Sequence, residues 1–211
     1  MESGMKDPAL AWSFTEDFPA ESDPVLYARM RAAELGIPAV SPATASTLRL
    51  LAAAVDARSV AEIGTGTGVS GAALLEGMAN DGVLTSIDVE PEFQRVAREV
   101  FAQAGVRPAR TRLIAGRALD VLPRLADTAY DLVLVDGDPA ESGALTEQAW
   151  RILRPGGILA VAGALRGGAV ADPTRRDELT VAMRELGKMV REDVGISALL
   201  PVGDGLLVAI R

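Results

Sequence analysis

Short apolar runs alternate with longer amphipathic segments along most of the chain after residue 56. Such runs, bounded by polar or glycine residues, are typical of buried strands, whereas the longer segments have helical spacing. The predicted strands are Val60–Ile63, Val83–Ile87, Thr111–Ile114, Leu132–Val135, Ile158–Val161, Ile196–Leu200 and Leu206–Ile210. The predicted helices among them are Ser70–Ala79, Pro91–Ala104, Ala118–Leu125, Ser142–Leu153 and Thr174–Arg191. Because strands that alternate with helices are joined by crossovers, the pattern predicts an α/β fold with a doubly wound, mostly parallel sheet.

The end of the chain departs from this alternation. Its last two predicted strands are separated only by Val202-Gly203-Asp204-Gly205, which is typical of a hairpin turn. The sequence therefore predicts a seven-stranded sheet that closes with a C-terminal antiparallel hairpin.

The first forty residues form a separate pattern. Four prolines interrupt them, and only Pro24–Leu35 shows clear amphipathic spacing; a further helix is predicted from Ser41-Pro42 to about Val55. We therefore expect an irregular and partly helical N-terminal segment, residues 1–40, followed by one domain, residues 41–211. Trp12, Phe14 and Phe18 would anchor this segment to the domain or to a second copy of the chain, the alternative being a cover over a substrate site.

Composition removes several chemistries. The 211 residues include no Cys and no His, which excludes disulfides, thiol catalysis, thiolate metal sites and histidine bases. The net charge of −8 argues against nucleic acid as a partner, because backbone binding needs a positive surface. No run approaches the ~20 apolar residues of a membrane span, and the N-terminus lacks a signal pattern, so we expect a cytoplasmic protein.

The strongest local motif is Glu62-Ile63-Gly64-Thr65-Gly66-Thr67-Gly68, which follows a predicted strand and opens a helix. Ligands bind at this position in open α/β sheets, and glycines let them approach the backbone. A dinucleotide fingerprint places its third glycine one residue later, where this chain has Val69. The motif thus weakens a nicotinamide-cofactor interpretation without excluding it.

Carboxylates are predicted at the same edge of the sheet. Asp88 ends the second strand, where an acid can accept hydrogen bonds from a ribose or cap the next helix. Asp136 and Asp138 follow the fourth strand, where they either serve a ligand or form a turn. Glu62 lies just before the glycines and either forms a structural ion pair or faces the cationic part of a ligand.

Together with Arg154-Pro155-Gly156-Gly157, these motifs resemble those of the S-adenosylmethionine-dependent methyltransferases. More narrowly, the chain is similar to small bacterial O-methyltransferases related to the caffeoyl-CoA methyltransferases, from about Val40 to Arg211. The spacing from Glu62 to Ser70, the Asp136-Gly137-Asp138 pair and the segment from Ala198 to Leu206 carry the narrower match. The resemblance implies a Rossmann-like methyltransferase sheet and S-adenosylmethionine as cofactor.

The resemblance also implies roles for individual residues. The methionine part of the cofactor would lie near Val40, Glu62 and the glycine loop, the ribose at Asp88, and the adenine between Val89 and the backbone of Ala118. Asp138 would contact the cofactor, and Asp136 would face the substrate. The implied cofactor-binding residues are Val40, Glu62, Gly64, Thr65, Gly66, Ser70, Asp88, Val89, Ala118, Asp136 and Asp138.

Several positions depart from the cation-dependent relatives. Those proteins bind a divalent metal through the acid that matches Asp136 and an Asp-Asn pair, and the pair is replaced here by Ala162 and Gly163. One carboxylate cannot supply the octahedral oxygen set that Mg²⁺ prefers, so we expect no metal and no catechol-type substrate. Pro139 replaces a lysine, and Arg166 replaces an aromatic residue. Arg166 either contacts an acidic or phosphorylated substrate or is a solvated loop residue.

We therefore expect metal-independent methyl transfer from S-adenosylmethionine to a hydroxyl of a small molecule, with Asp136 as the base or orienting group. One alternative is a cofactor-binding protein that has lost catalysis, and another is a nicotinamide-dependent oxidoreductase. A homodimer is the expected assembly.

Overall fold

A computed structural model describes residues 7–193 and 195–211. A seven-stranded sheet with the order β3-β2-β1-β4-β5-β7-β6 forms its centre. The strands are β1 (Ser59–Ile63), β2 (Val83–Asp88), β3 (Thr111–Ala115), β4 (Tyr130–Val135), β5 (Leu153–Ala162), β6 (Ser197–Leu200) and β7 (Leu206–Ile210). The α-helices are α1 (Pro8–Asp17), α2 (Asp23–Leu35), α3 (Pro42–Ala54), α4 (Val69–Gly77), α5 (Pro91–Gln103), α6 (Ala118–Val121), α7 (Ser142–Ile152) and α8 (Glu178–Asp193).

The first five strands are parallel, and β7 runs antiparallel between β5 and β6. This confirms the expected doubly wound sheet with its closing hairpin. The chain order reverses between β1 and β4, which pair directly with Val60 opposite Leu132. The helices that follow these two strands pack on opposite faces of the sheet, so a crevice opens at the carboxyl ends of β1 and β4.

Two apolar layers hold the sheet. The central strands β1 and β4 bear side chains that are buried on both faces, which is why β4 ends in the continuous apolar run Leu132–Val135. Helices α2 to α5 cover one face, and α7 and α8 cover the other. Helix α4 is buried from Val69 to Leu75 because it lies between the sheet and α3, where Gly77 allows the backbone of Arg49 to approach. None of the described helices is long and apolar enough to cross a membrane.

Several local expectations were wrong. Residues Pro8–Asp17 form helix α1, because Pro8 occupies the first helical turn, where a missing N–H is harmless, and the Asp7 carboxylate accepts from the Ala9 N–H at 3.0 Å. Helix α8 begins at Glu178 and not at Thr174, since the Asp177 carboxylate caps it by accepting from the Thr180 N–H and hydroxyl.

Two further boundaries differ. Helix α6 ends at Val121 and continues as a 3-10 turn at Leu122–Arg124, because Pro123 cannot donate the next helical hydrogen bond. Strand β5 begins at Leu153, five residues before the expected start, with an irregular register before Leu132 pairs with Ile158. Residues 1–6 of the N-terminal segment lie outside the described residues.

Candidate functional site

The glycine loop between β1 and α4 lies against the end of β4. Gly64, Gly66 and Gly68 all have positive φ, at 96°, 48° and 94°. A Cβ on Gly64 would lie 2.1 Å from the carbonyl oxygen of Asp136, so only glycine fits there. A Cβ on Gly66 would meet no atom within 4 Å, and this part of the loop is therefore open to a ligand.

A buried polar network supports the loop from below. The Glu62 carboxylate is fully buried and accepts hydrogen bonds from the hydroxyls of Ser70 and Ser86, at 2.6 and 2.5 Å. The hydroxyls of Ser86 and Thr65 lie 2.6 Å apart, and the Gln94 amide donates to Thr65. Burial raises the pKa of Glu62 to about 7, against the two serine hydroxyls, which lower it. These contacts connect the loop rigidly to β2.

This network includes three residues that the sequence predicts to contact the cofactor. Glu62, Thr65 and Ser70 are buried beneath the loop and line neither cavity of the site. Their direct contact with a cofactor stays a prediction, whereas the structure gives them a visible part in shaping the loop. Ser86, which sequence reasoning missed, completes the network; its only sequence signal is a polar residue inside an apolar strand.

Asp88 lies at the end of β2, beside the loop. Its carboxylate accepts from the N–H groups of Gly66 and Glu90, both at 2.9 Å. The next residue, Val89, is 56% exposed although it is apolar. The Asp88 carboxylate, which can accept from two hydroxyls, therefore lies next to the exposed apolar side chain of Val89.

A smaller cavity of about 530 Å³ lies over these residues. Its lining includes Asp88, Val89, Gly116, Ala118, Asp136 and Asp138. Asp138 also caps the short helical turn Pro139–Glu141 by accepting from the Ala140 N–H at 2.9 Å. At the rim of the same cavity the Arg117 guanidinium donates to Glu141 at 2.7 Å. The structure thus brings together the residues expected around a ribose and an adenine.

A larger cavity of about 940 Å³ adjoins the smaller one. Apolar side chains from distant segments form much of its wall: Trp12, Ile37, Val40, Phe93 and Met183. Gly64, Gly66 and Asp88 contribute the edge shared with the glycine loop. Arg166 is the only cationic side chain that lines it among the described residues.

Asp136 lines both cavities. Burial alone raises the pKa of its carboxyl to about 6, with no hydrogen bond to offset it. The carboxylate is therefore free to accept from a ligand. Asp136 and Asp88 also raise the pKa of Glu62, so the three acids lie close enough to interact. The two that line the cavities, Asp88 and Asp136, form a negative region that suits a cationic ligand better than a pyrophosphate.

The larger cavity is also lined by the two positions matched from the sequence to the Asp-Asn pair of cation-dependent relatives. Ala162 and Gly163 lie at its wall near Asp136, and neither carries a side-chain oxygen. Within residues 7–193 and 195–211 no three acidic residues are grouped as metal ligands. The donor set at this edge does not fit an octahedral Mg²⁺ site.

Two long-range contacts that close the larger cavity were not visible in the sequence. The Glu16 carboxylate of α1 accepts from the N–H groups of Ala43 and Gly203, at 3.1 and 2.7 Å, and so holds Trp12 over the cavity. Arg184 of α8 donates to carbonyl oxygens of the loop that follows β5. Neither residue belongs to a motif, so no sequence signal could have identified them.

Comparisons with known protein sequences identify the family of the chain. The O-methyltransferase family profile matches residues 26–211. A probable O-methyltransferase of Mycobacterium tuberculosis is 48% identical over 201 residues, which are 95% of this chain and 90% of that protein.

Solved structures give the same result. A Corynebacterium glutamicum protein has a TM-score of 0.88 and 37% identity, with 97% of each chain covered. The O-methyltransferase TomG of Streptomyces achromogenes, involved in tomaymycin synthesis and solved in complex with S-adenosylmethionine, has a TM-score of 0.83 and 29% identity, covering 100% of this chain and 99% of TomG. This chain therefore belongs to the S-adenosylmethionine-dependent O-methyltransferase family.

Proposed function

We propose that the protein transfers a methyl group to a hydroxyl of a small-molecule acceptor without a metal ion, and that Asp136 is the catalytic base. The observation that carries this proposal is the position of the Asp136 carboxylate. It lies where the two cavities meet and has no hydrogen bond to offset its burial. An acceptor hydroxyl in the larger cavity can therefore donate to it.

The smaller cavity and the glycine loop fit the cofactor. Asp88 would accept from the ribose hydroxyls in exchange for its bonds to main-chain N–H groups, and Val89 and the Ala118 backbone would enclose the adenine. Gly64, Gly66 and Val40 would surround the methionine part, with Asp138 at the outer wall. Glu62, Thr65 and Ser70 would act mainly by fixing the loop.

S-adenosylmethionine supplies a methyl group that its sulfonium already activates, so the protein needs no strong electrophilic catalyst. The chain's own contribution is to hold the acceptor oxygen in line and exclude water, which is worth up to ~7–11 kcal/mol. Asp136 then takes the hydroxyl proton. With a pKa of about 6 it is ionised at neutral pH, as a base must be.

The test is Asp136→Asn, which keeps the shape and removes the base. We expect the rate of methyl transfer to fall ~10²–10⁴-fold while calorimetry shows retained affinity for S-adenosylmethionine. The wild-type rate should rise with pH through about 6, because the base works only when ionised. A wild-type rate in Asp136→Asn, or a loss of wild-type activity on chelation with EDTA, would contradict the proposal. Cofactor binding without turnover of any hydroxyl acceptor would instead favour a protein that has lost catalysis.

We also propose that α1 mediates self-association into a homodimer. Leu10, Phe14 and Phe18 recur at four-residue spacing and are 70%, 71% and 78% exposed. A helix with an apolar stripe of this kind gains by pairing with another surface. Deletion of residues 1–20 should convert dimers into monomers in light scattering, and an unchanged mass would contradict this assembly.

A further inference from the structure

We propose that Arg166 is a specificity-determining residue that binds an anionic oxygen group, a carboxylate or a phosphate, on the methyl acceptor. This inference rests on the proposed function, since it concerns the acceptor of that reaction. It assigns the acceptor to a chemical class: hydroxyl compounds that carry an acidic group away from the hydroxyl to be methylated.

The first observation is the backbone of Arg166. Its φ of 50° lies in the left-handed region, which residues with a side chain rarely adopt. Such conformations persist only where the surroundings impose them, and they concentrate at functional sites. Gly167 and Gly168 follow with φ of 61° and 83°, so glycine takes the neighbouring left-handed positions while an arginine occupies this one.

The second observation is the way in which the surrounding loop is held. The N–H groups of Ala164 and Leu165 donate to the carbonyls of Gly205 and Asp204, at 3.0 and 2.8 Å. The N–H of Gly167 donates to the Asp204 carboxylate. Residues on both sides of Arg166 are thus fixed to the turn between β6 and β7.

Arg184 holds the rest of the loop. Its guanidinium donates to the carbonyl oxygens of Ala169, Val170 and Arg175, at 2.8, 2.9 and 2.7 Å, and to that of Asp172. A segment without helix or strand is therefore ordered by side-chain bonds from α8. Such an arrangement presents Arg166 from a fixed position, as a specific binding group requires.

The third observation is that the Arg166 side chain lacks good partners. Its side chain is only 23% exposed, and its Nε is buried with no hydrogen-bond partner among the described residues. The nearest carboxylate, Asp177, lies 4.0 Å away and already accepts from Thr180 and Arg175. A guanidinium so placed retains donors for a planar carboxylate or for phosphate oxygens.

The fourth observation is the contrast with the rest of the cavity wall. Arg166 is its only cation among the described residues, and its acids include Asp88, Asp136 and Asp204. Asp136 and Arg166 thus give the cavity two unlike polar groups on largely apolar walls. An acceptor with an acidic group at Arg166 would present its hydroxyl to Asp136, and the reversed orientation would bring two negative charges together.

The experiment compares 3-hydroxybenzoate, 3-hydroxybenzamide and 3-hydroxyphenyl phosphate as acceptors of the full-length protein with S-adenosylmethionine. The amide matches the acid in shape but carries no charge. Comparison of the benzoate with the phosphate shows which of the two anionic groups the site prefers. We expect kcat/KM for the preferred anion to exceed that for the amide by ~10- to 100-fold, the usual value of hydrogen bonds to a charged group.

Arg166→Met should reduce this ratio to near one, and Arg166→Lys, which keeps the charge without the planar fork, should retain part of it. Arg176→Met is the matched control, since Arg176 is an exposed arginine of the same loop, and it should keep the wild-type ratio. A wild-type protein without anion preference, or an Arg166→Met protein that keeps it, would overturn the inference.

If none of the three compounds is methylated, the same comparison is made by calorimetric binding to the complex with S-adenosylhomocysteine. Affinity for an anion that falls in Arg166→Met supports the anion site even though methyl transfer then fails. Equal affinity in both proteins rejects the site. Asp136→Asn distinguishes the two proposals. It should lose turnover, yet in the binding assay it should still prefer the anion to the amide, because Arg166 is unchanged.

Discussion

The two cavities meet at Asp136, yet they are built in different ways. The smaller cavity is lined mainly by residues that end or follow β1, β2, β3 and β4. The larger cavity adds α1, the segment before α3, the loop after β5 and the turn between β6 and β7. Adjacent strands fix the first arrangement through their ladder, whereas tertiary contacts between distant segments fix the second.

Under the proposed function, this difference separates the cofactor side of the site, at the smaller cavity, from the acceptor side, at the larger one. Parallel strand ends cannot shift without breaking the sheet, so a common cofactor site fits there. Loops and terminal helices accept substitution more readily, and under the proposed function they form the acceptor side. Three substitutions are expected to sharpen this comparison.

The largest effect is expected for Gly64→Ala at the cofactor side. The new Cβ would lie 2.1 Å from the Asp136 carbonyl oxygen, and this backbone contact cannot relax without separating β1 from β4. We expect a loss of about 3 kcal/mol or more in the free energy of unfolding, measured by urea denaturation. Gly163→Ala, on the acceptor side, is the control. Its φ is 68° but its Cβ would meet no atom within 4 Å, so about 1 kcal/mol is expected. Equal losses in the free energy of unfolding of the two variants would contradict the expected difference between the two cavities.

The next effect concerns the acid beneath the glycine loop. Folding raises the pKa of Glu62 from 4.5 to about 7, so the folded protein binds more protons than the unfolded chain between these values. The contribution of Glu62 to stability is therefore full below about pH 4.5 and is lost as the pH rises through 7. At 1.36 kcal/mol per pKa unit the loss amounts to roughly 3 kcal/mol.

Glu62→Gln should remove this dependence, since its amide stays neutral while it can still bond the two serines. Urea denaturation of both proteins at several pH values measures the difference. The substitution of Glu76, which is half-exposed and pairs with Arg49, by Gln should leave the pH slope unchanged. A Glu62→Gln protein with the wild-type slope would contradict the assignment.

The smallest effect is expected for Arg184→Met at the acceptor side. The substitution removes the hydrogen bonds that order the loop from Ala169 to Arg175, while residue 166 remains an arginine. We expect the KM for the preferred acceptor to rise about 10-fold, because small displacements of a positioning group are costly. The affinity for S-adenosylmethionine should not change. Lys188→Gln, at an exposed position of the same helix, is the control. A comparable loss of cofactor affinity in Arg184→Met would contradict the conclusion that the two cavities are held by different contacts.

The sequence predicted the smaller cavity better than the larger one. The glycine loop, Asp88 and Asp136 follow strands in the chain and carry recognisable residue types, so the sequence predicted their common edge. Glu62 shows the limit, because its burial depends on Ser86, which the sheet brings beside it from β2. Residue type left open a structural ion pair or a contact with the cationic part of a ligand, and only the strand pairing reveals the support that Glu62 gives to the loop.

The acceptor side was less predictable. Arg166 could be selected by its departure from the family pattern, but its left-handed backbone lies between residues that bond to the β6–β7 turn. That its Nε has no partner among the described residues is likewise a property of the folded chain. Helix α1 was missed because Pro8 was interpreted as a breaker and not as a first-turn residue. Its docking depends on Glu16 and Gly203, whose separation of 187 residues no local pattern can bridge.

That separation in the sequence has a consequence for folding during translation. Helix α1 is synthesised before the strands of the sheet, but one of the two N–H groups that its Glu16 binds belongs to Gly203, which follows β6 in the chain. During translation the cofactor half of the sheet can assemble while the cover over the larger cavity still lacks its final attachment. The wall of the larger cavity is therefore completed only after β6 and the following turn have emerged. Under the proposed function, a nascent chain that lacks this turn cannot yet enclose an acceptor.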